Sequence, residues 1–94
     1  MQENEIRQAG DYEITHAIHI GEKELVLGEN LSAEDGMCYL VACCETNGIL
    51  QRYTECMISD NFVEVAEIFA ERLRAQVQQV KEEHRQISVP TKPI

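Results

Sequence analysis

The sequence predicts an α+β domain: a four-stranded antiparallel meander in the order β-β-β-β-α, with one long C-terminal helix packed on one face of the sheet. Three observations carry this. Apolar and polar residues alternate from Tyr12 to Ile20, the period of a half-buried strand. Two turn signals, Gly21-Glu22 and Asn47-Gly48, each sit between β-rich runs. From Phe62 onward apolar residues recur at helical spacing, with neither Gly nor Pro until Pro90. The links are short, which favours neighbouring antiparallel strands.

Residues 1–10 are polar apart from Ile6 and end in Gly10, and are read as a flexible lead-in. Residues 11–86 form a single domain. Its first hairpin turns at Gly21-Glu22, where glycine supplies the positive φ of a type II′ turn. That register sets Ile18 opposite Leu25, His16 opposite Leu27 and Tyr12 opposite Leu31 on an apolar face. The other face pairs His19 with Glu24, Ala17 with Val26, Thr15 with Gly28 and Glu13 with Asn30.

The polar stretch Ser32 to Gly36 leads to a second hairpin, with strands of about Met37 to Thr46 and Ile49 to Ile58. Asn61, or Asp60, can cap the helix, and Glu64 three residues after Asn61 fits a capping box. Phe62, Val65, Ala66, Phe69, Leu73, Val77 and Val80 form its apolar stripe, and it runs to about Arg85. At about 1.5 Å per residue such a helix is longer than the strands, so its last turns overhang the sheet. Residues 87–94 hold two prolines and are read as an irregular tail.

Composition excludes several functions. Apolar residues make up 44% of the chain and charged residues 27%, which suits a folded domain rather than a disordered one. The net charge of −9 repels phosphate backbones and anionic membranes, so direct nucleic-acid binding is not expected. Five aromatics and no Trp leave little for base stacking. The opening residues lack a basic start and an apolar core, and no run reaches the length of a membrane span. The chain reads as cytoplasmic, where thiols stay reduced.

All four cysteines lie between Cys38 and Cys56. A two-residue Asn47-Gly48 loop sets Cys43 opposite Arg52, Cys44 opposite Gln51, Cys38 opposite Met57 and Cys56 opposite Tyr39, so no two cysteines are opposed. Adjacent Cys43 and Cys44 point to opposite faces. Neither a disulfide nor a zinc knuckle fits this spacing. His16 and His19, three apart on a strand, also lie on opposite faces. The cysteines read as small buried hydrophobes. A reactive thiol wants a cationic neighbour, and only Cys43, facing Arg52, has a candidate.

No nucleophile elbow, H-E-x-x-H, phosphate loop or dinucleotide fingerprint occurs, so no catalytic, cofactor-binding or metal-binding residue is assigned. The His19–Glu24 pair reads as a solvated surface pair, and His84 as a complement to the helix dipole.

The second hairpin is apolar on both faces. One carries Met37, Tyr39, Val41, Cys43, Leu50, Cys56 and Ile58; the other carries Cys38, Leu40, Ala42, Cys44, Ile49, Tyr53 and Met57. One helix covers only one face, so a partner or a second copy is expected on the other. Leu73, Val77, Val80, His84 and Ile87 continue at the spacing of a short coiled-coil seam. The expected interaction surface is therefore Leu40, Ala42, Ile49, Tyr53 and Met57 with Leu73, Val77 and Val80 of the helix. The function expected is a non-enzymatic protein–protein interaction module, self-associating as a homodimer or docking a protein partner. Glu64, Glu67 and Glu71 form an acidic helix face that supports an alternative, an inhibitor that mimics DNA toward a nucleic-acid-binding protein. A small thiol-dependent enzyme is the third reading.

The strand–"IG"–strand opening and the "YTE…SDNFVEV" passage into the helix resemble small proteins with a domain of unknown function carried on conjugative or integrated elements of gut Gram-positive bacteria. The likeness spans about residues 12–73. It implies an accessory role in a mobile element, lends some weight to the anti-restriction reading, and carries over no functional residues.

Overall fold

A computed structural model describes residues 7–47 and 50–87, without the side chains of 46–47 and 84–87. The five strands are β1 (Gln8–Ala9), β2 (Tyr12–Ile20), β3 (Lys23–Glu29), β4 (Tyr39–Asn47) and β5 (Leu50–Ser59), followed by the helix α1 (Phe62–Ile87). The sheet is antiparallel in the order β1-β2-β3-β4-β5. The meander with one C-terminal helix is as the sequence predicts, but the sheet has five strands rather than four. The added strand lies inside the stretch read as a flexible lead-in. Its signal is Gly10-Asp11, a two-residue turn between Ala9 and Tyr12 with Gly10 at φ 64°.

The Gly21-Glu22 turn has the expected form, with Gly21 at φ 64° and Glu22 outside the positive-φ region. Ile18 faces Leu25, His16 faces Leu27 and His19 faces Glu24, as the turn dictates. A bulge at Thr15 then shifts the register, so Ile14 meets Gly28 and Glu13 meets Glu29. The pairings expected for Thr15, Glu13 and Tyr12 are replaced by these. The bulge also carries Tyr12 and Ile14 to the opposite face from His16 and Ile18. Gly28 is what admits Ile14. A Cβ there would lie 3.0 Å from the Glu13 carbonyl oxygen and 3.2 Å from Leu40 Cδ2.

β4 and β5 pair from Asn47 with Leu50, so residues 48–49 form the link and the register differs from the expected one. Cys43 meets Thr54 and Cys44 meets Tyr53. A second bulge follows at Glu55, the one non-glycine residue with positive φ (54°) among those described. Beyond it the faces exchange: Met57 lies opposite Val41 and Ile58 opposite Leu40.

Two thin cores result. On one face Leu27, Val41 and Val65 are buried together, with Tyr39, Ile68 and Phe69 of strand and helix packed around them. On the other, Val26, Leu40, Ala42 and Cys44 are buried beneath Ala9, Tyr12, Ile14 and Tyr53.

The helix begins where expected. Asn61 Oδ1 accepts from the Val63 N–H at 2.9 Å, as an N-cap does. The capping box runs through Ser59: its hydroxyl donates to Glu64 and accepts from the Asn61 N–H at 3.0 Å.

Along α1 the sheet-facing side departs from the hydropathy stripe. Gln76 is buried, its Nε2 donating to the Ile20 carbonyl at 3.3 Å, while Val77 is exposed. The helix there crosses the end of β2, whose carbonyl needs a donor more than an apolar neighbour. Gly21 sits closely under Val80, since a Cβ at Gly21 would approach Val80 Cγ2 to 2.7 Å.

Candidate functional site

The second face of the sheet carries a polar row above its small core. Glu24, Cys44 and Tyr53 are register neighbours on β3, β4 and β5, and His19 lies opposite Glu24 on β2. Arg7, just before β1, reaches across them. Its guanidinium donates to both Glu24 oxygens at 3.1 and 2.8 Å and to the Tyr53 hydroxyl oxygen at 3.0 Å, and passes 3.7 Å from Cys44 Sγ. The guanidinium carbon stands 5.8 Å from the Tyr53 ring centroid. Hydrogen bonding to Arg7 holds the Glu24 carboxyl below its usual range, against the opposing pull of burial. The Arg7 guanidinium is raised in turn, chiefly by Glu24. Arg7 Nε is buried and meets no acceptor among the described residues.

This row answers what covers the hairpin's second side, and the answer corrects the expected interaction surface. Leu40 and Ala42 are 3% and 0% exposed, covered by the chain's own Ala9, Tyr12 and Ile14. Tyr53 is half-buried under Arg7. Met57 is exposed, but on the helix side, because the Glu55 bulge turns it there. Leu73 and Val80 are half-buried, and Val77 alone of the helix trio is exposed. Ile49 and the side chains of His84 and Ile87 lie outside the described residues.

The apolar surface that is exposed lies elsewhere. β5 is the outermost strand, and no strand pairs with its outer edge among the described residues. It displays Leu50 (69% exposed), Met57 (48%) and Ile58, and Phe62 and Val63 (69%) follow at the helix start. Phe62 is held edge-on to Tyr39, ring centroids 5.5 Å apart at 71°. Sequence reading placed Met57 on the other face because the Glu55 bulge has no glycine to announce it.

The four cysteines are all free. Cys43 lies on the helix side, 3.7 Å from Glu55 Oε1, and Cys44 lies on the other face. Burial pushes both thiols up, and Glu55 and Glu24 add to the effect; the cations nearest them, Arg72 and Lys23 for Cys43 and Arg7 for Cys44, only partly oppose it. Arg52, the cation expected to face Cys43, instead pairs with Glu45. Among the described residues no group of His, Cys, Asp and Glu is arranged to hold a metal ion.

The acidic helix residues Glu64, Glu67 and Glu71 are exposed, but Glu64 is engaged by Ser59 in the cap. A cleft of about 420 Å³ between the helix and the β2–β3 turn is lined by Glu22, Lys23, Glu45, Gln76, Gln79 and Glu83. Its walls hold no Ser, Thr, Cys or His. No described helix is long and apolar enough to cross a membrane. Comparison with protein-family models, with curated proteins and with solved structures finds no match to the chain.

Proposed function

We propose that the protein is a non-enzymatic interaction module that self-associates by pairing the β5 edges of two copies. The observation that supports this reading is the ten-residue outer strand, unpaired along its outer edge among the described residues, with exposed Leu50, Met57 and Ile58 and the adjoining Phe62 and Val63. An open edge of this kind is a template for another strand.

The strand is also complementary to itself. In a two-fold antiparallel pairing centred on Tyr53, the bulge sets Leu50 opposite Met57 of the second copy and Gln51 opposite its Cys56, each pair on one face. Arg52 then lies diagonal to Glu55 of the second copy, which offsets charge between two acidic chains. Phe62 and Val63 flank the seam. Against a thiol-dependent enzyme at Cys43 or Cys44 stands their burial, Cys56 being the exposed thiol, and against a phosphate-mimicking face stands the engagement of Glu64 in the cap. The resemblance to proteins of mobile elements supports an accessory role in such an element, with this module as its contact surface.

Sedimentation velocity at micromolar concentration tests the reading. Wild type sediments as a dimer, and Met57→Lys with Ile58→Lys returns it to a monomer with unchanged circular dichroism. A wild-type monomer overturns it.

A further inference from the structure

We propose that the second face of the sheet, with the β2 edge beside it, unpaired beyond Ile14 among the described residues, is a docking surface for an extended partner segment carrying an arginine, and that Arg7–Ala9 is its displaceable occupant in the free chain. This goes beyond the β5 pairing, which uses the opposite edge of the sheet.

The receiving side is built from paired strands. Glu24, Cys44 and Tyr53 come from three paired strands, and Val26, Leu40 and Ala42 form the floor beside them. Glu24 offers both carboxylate oxygens to one guanidinium, and Tyr53 offers a hydroxyl oxygen and a ring face, the recognition that suits arginine rather than lysine.

Among the described residues the occupant is otherwise held by a short ladder and by Ala9, which packs on the core. β1 makes two residue pairs with β2, Gln8 with Glu13 and Ala9 with Tyr12, and the Arg7 carbonyl accepts from the Ile14 N–H at 2.9 Å. The fit is imperfect, since Arg7 Nε is buried without an acceptor among the described residues, and such a donor opposes the closed state. Along the same edge no described strand pairs with β2 beyond Ile14. An incoming strand that pairs along Thr15–Ile20 makes ladder bonds that the two-residue β1 does not, the mode of β-strand addition. The acidic chain, at net −9, favours a basic segment over the long range.

Two measurements on the full chain test this. In wild type, native-state alkylation compares Cys44, beneath Arg7, with Cys43 on the helix side. If Arg7–Ala9 opens locally, Cys44 is modified at least ten times faster than Cys43; equal rates overturn displaceability. Second, a fluorescent peptide of residues 1–10 is titrated into wild type and Arg7→Ala. The variant, its own arginine removed, binds the peptide at least tenfold tighter than wild type. Affinity falls at least tenfold when the peptide's arginine is replaced by alanine or when Glu24→Gln is added to the variant. Equal binding by both chains, or indifference to the peptide's arginine, overturns the docking surface. Slow Cys43 labelling in Arg7→Ala reports that it is folded, and Arg7→Lys replaces it in the titration if it is not.

Discussion

Arg7 is one residue of the polar lead, yet it joins β1 to Glu24, Cys44 and Tyr53 on three other strands. The Glu24 carboxyl, held below its usual range by Arg7, makes stability depend on pH with a definite sign. Its contribution is complete above the ordinary carboxylate pKa of about 4.5 and is lost as pH falls through the lower folded value. Acid unfolding of wild type followed by circular dichroism should therefore be steeper below that point than in Arg7→Ala, where Glu24 has no partner to lose. Gly28 makes the second prediction at this scale. Added as Gly28→Ala, a Cβ presses on the Glu13 backbone and on Leu40, so urea unfolding should show a loss of about 1–3 kcal/mol. Residue-level features were the least legible in the sequence. Nothing local to Arg7 says that it reaches residues far along the chain, and nothing around Gly28 says which side chain lies above it.

At the level of elements the sequence was much more informative. The Gly21-Glu22 turn fixed the upper half of the first hairpin, and the Asn61 cap fixed the helix start. What escaped were the bulges at Thr15 and Glu55. Neither carries the glycine that marks many bulges, and each flips the faces of every residue beyond it. That single-residue shift is why Tyr12 and Ile14 cover the second core and why Met57 sits on the helix side. Glu55 at φ 54° leads to a prediction contrary to strand propensity. Glu55→Val introduces a better strand former, but a β-branched residue at positive φ is strained, so stability should fall by about 1–2 kcal/mol in denaturant unfolding. Asn61→Ala removes the acceptor for the Val63 N–H and should cost about 1 kcal/mol by the same assay. Val65, Ala66, Phe69, Leu73 and Val80 of the helix stripe are buried or half-buried, whereas Phe62 and Val77 are exposed. Where the helix meets the end of β2, buried Gln76 and exposed Val77 reverse the hydropathy order.

For the whole molecule, the charge of −9 bears on the proposed pairing of two copies. Like-charged chains repel, so pairing of β5 edges should strengthen as salt rises from low ionic strength, whereas an acidic mimic bound to a basic protein weakens. The apolar count on both hairpin faces led to the expectation of a partner or a second copy on the second face, where the chain's own Ala9, Tyr12 and Ile14 lie. The proposed pairing uses instead the exposed apolar residues of the β5 edge and the helix start. Sedimentation velocity of the wild-type chain across micromolar concentrations tests that most directly. The account predicts a species of twice the 10.7 kDa chain mass that Met57→Lys with Ile58→Lys abolishes. A wild-type chain that stays at its single-chain mass throughout would contradict it.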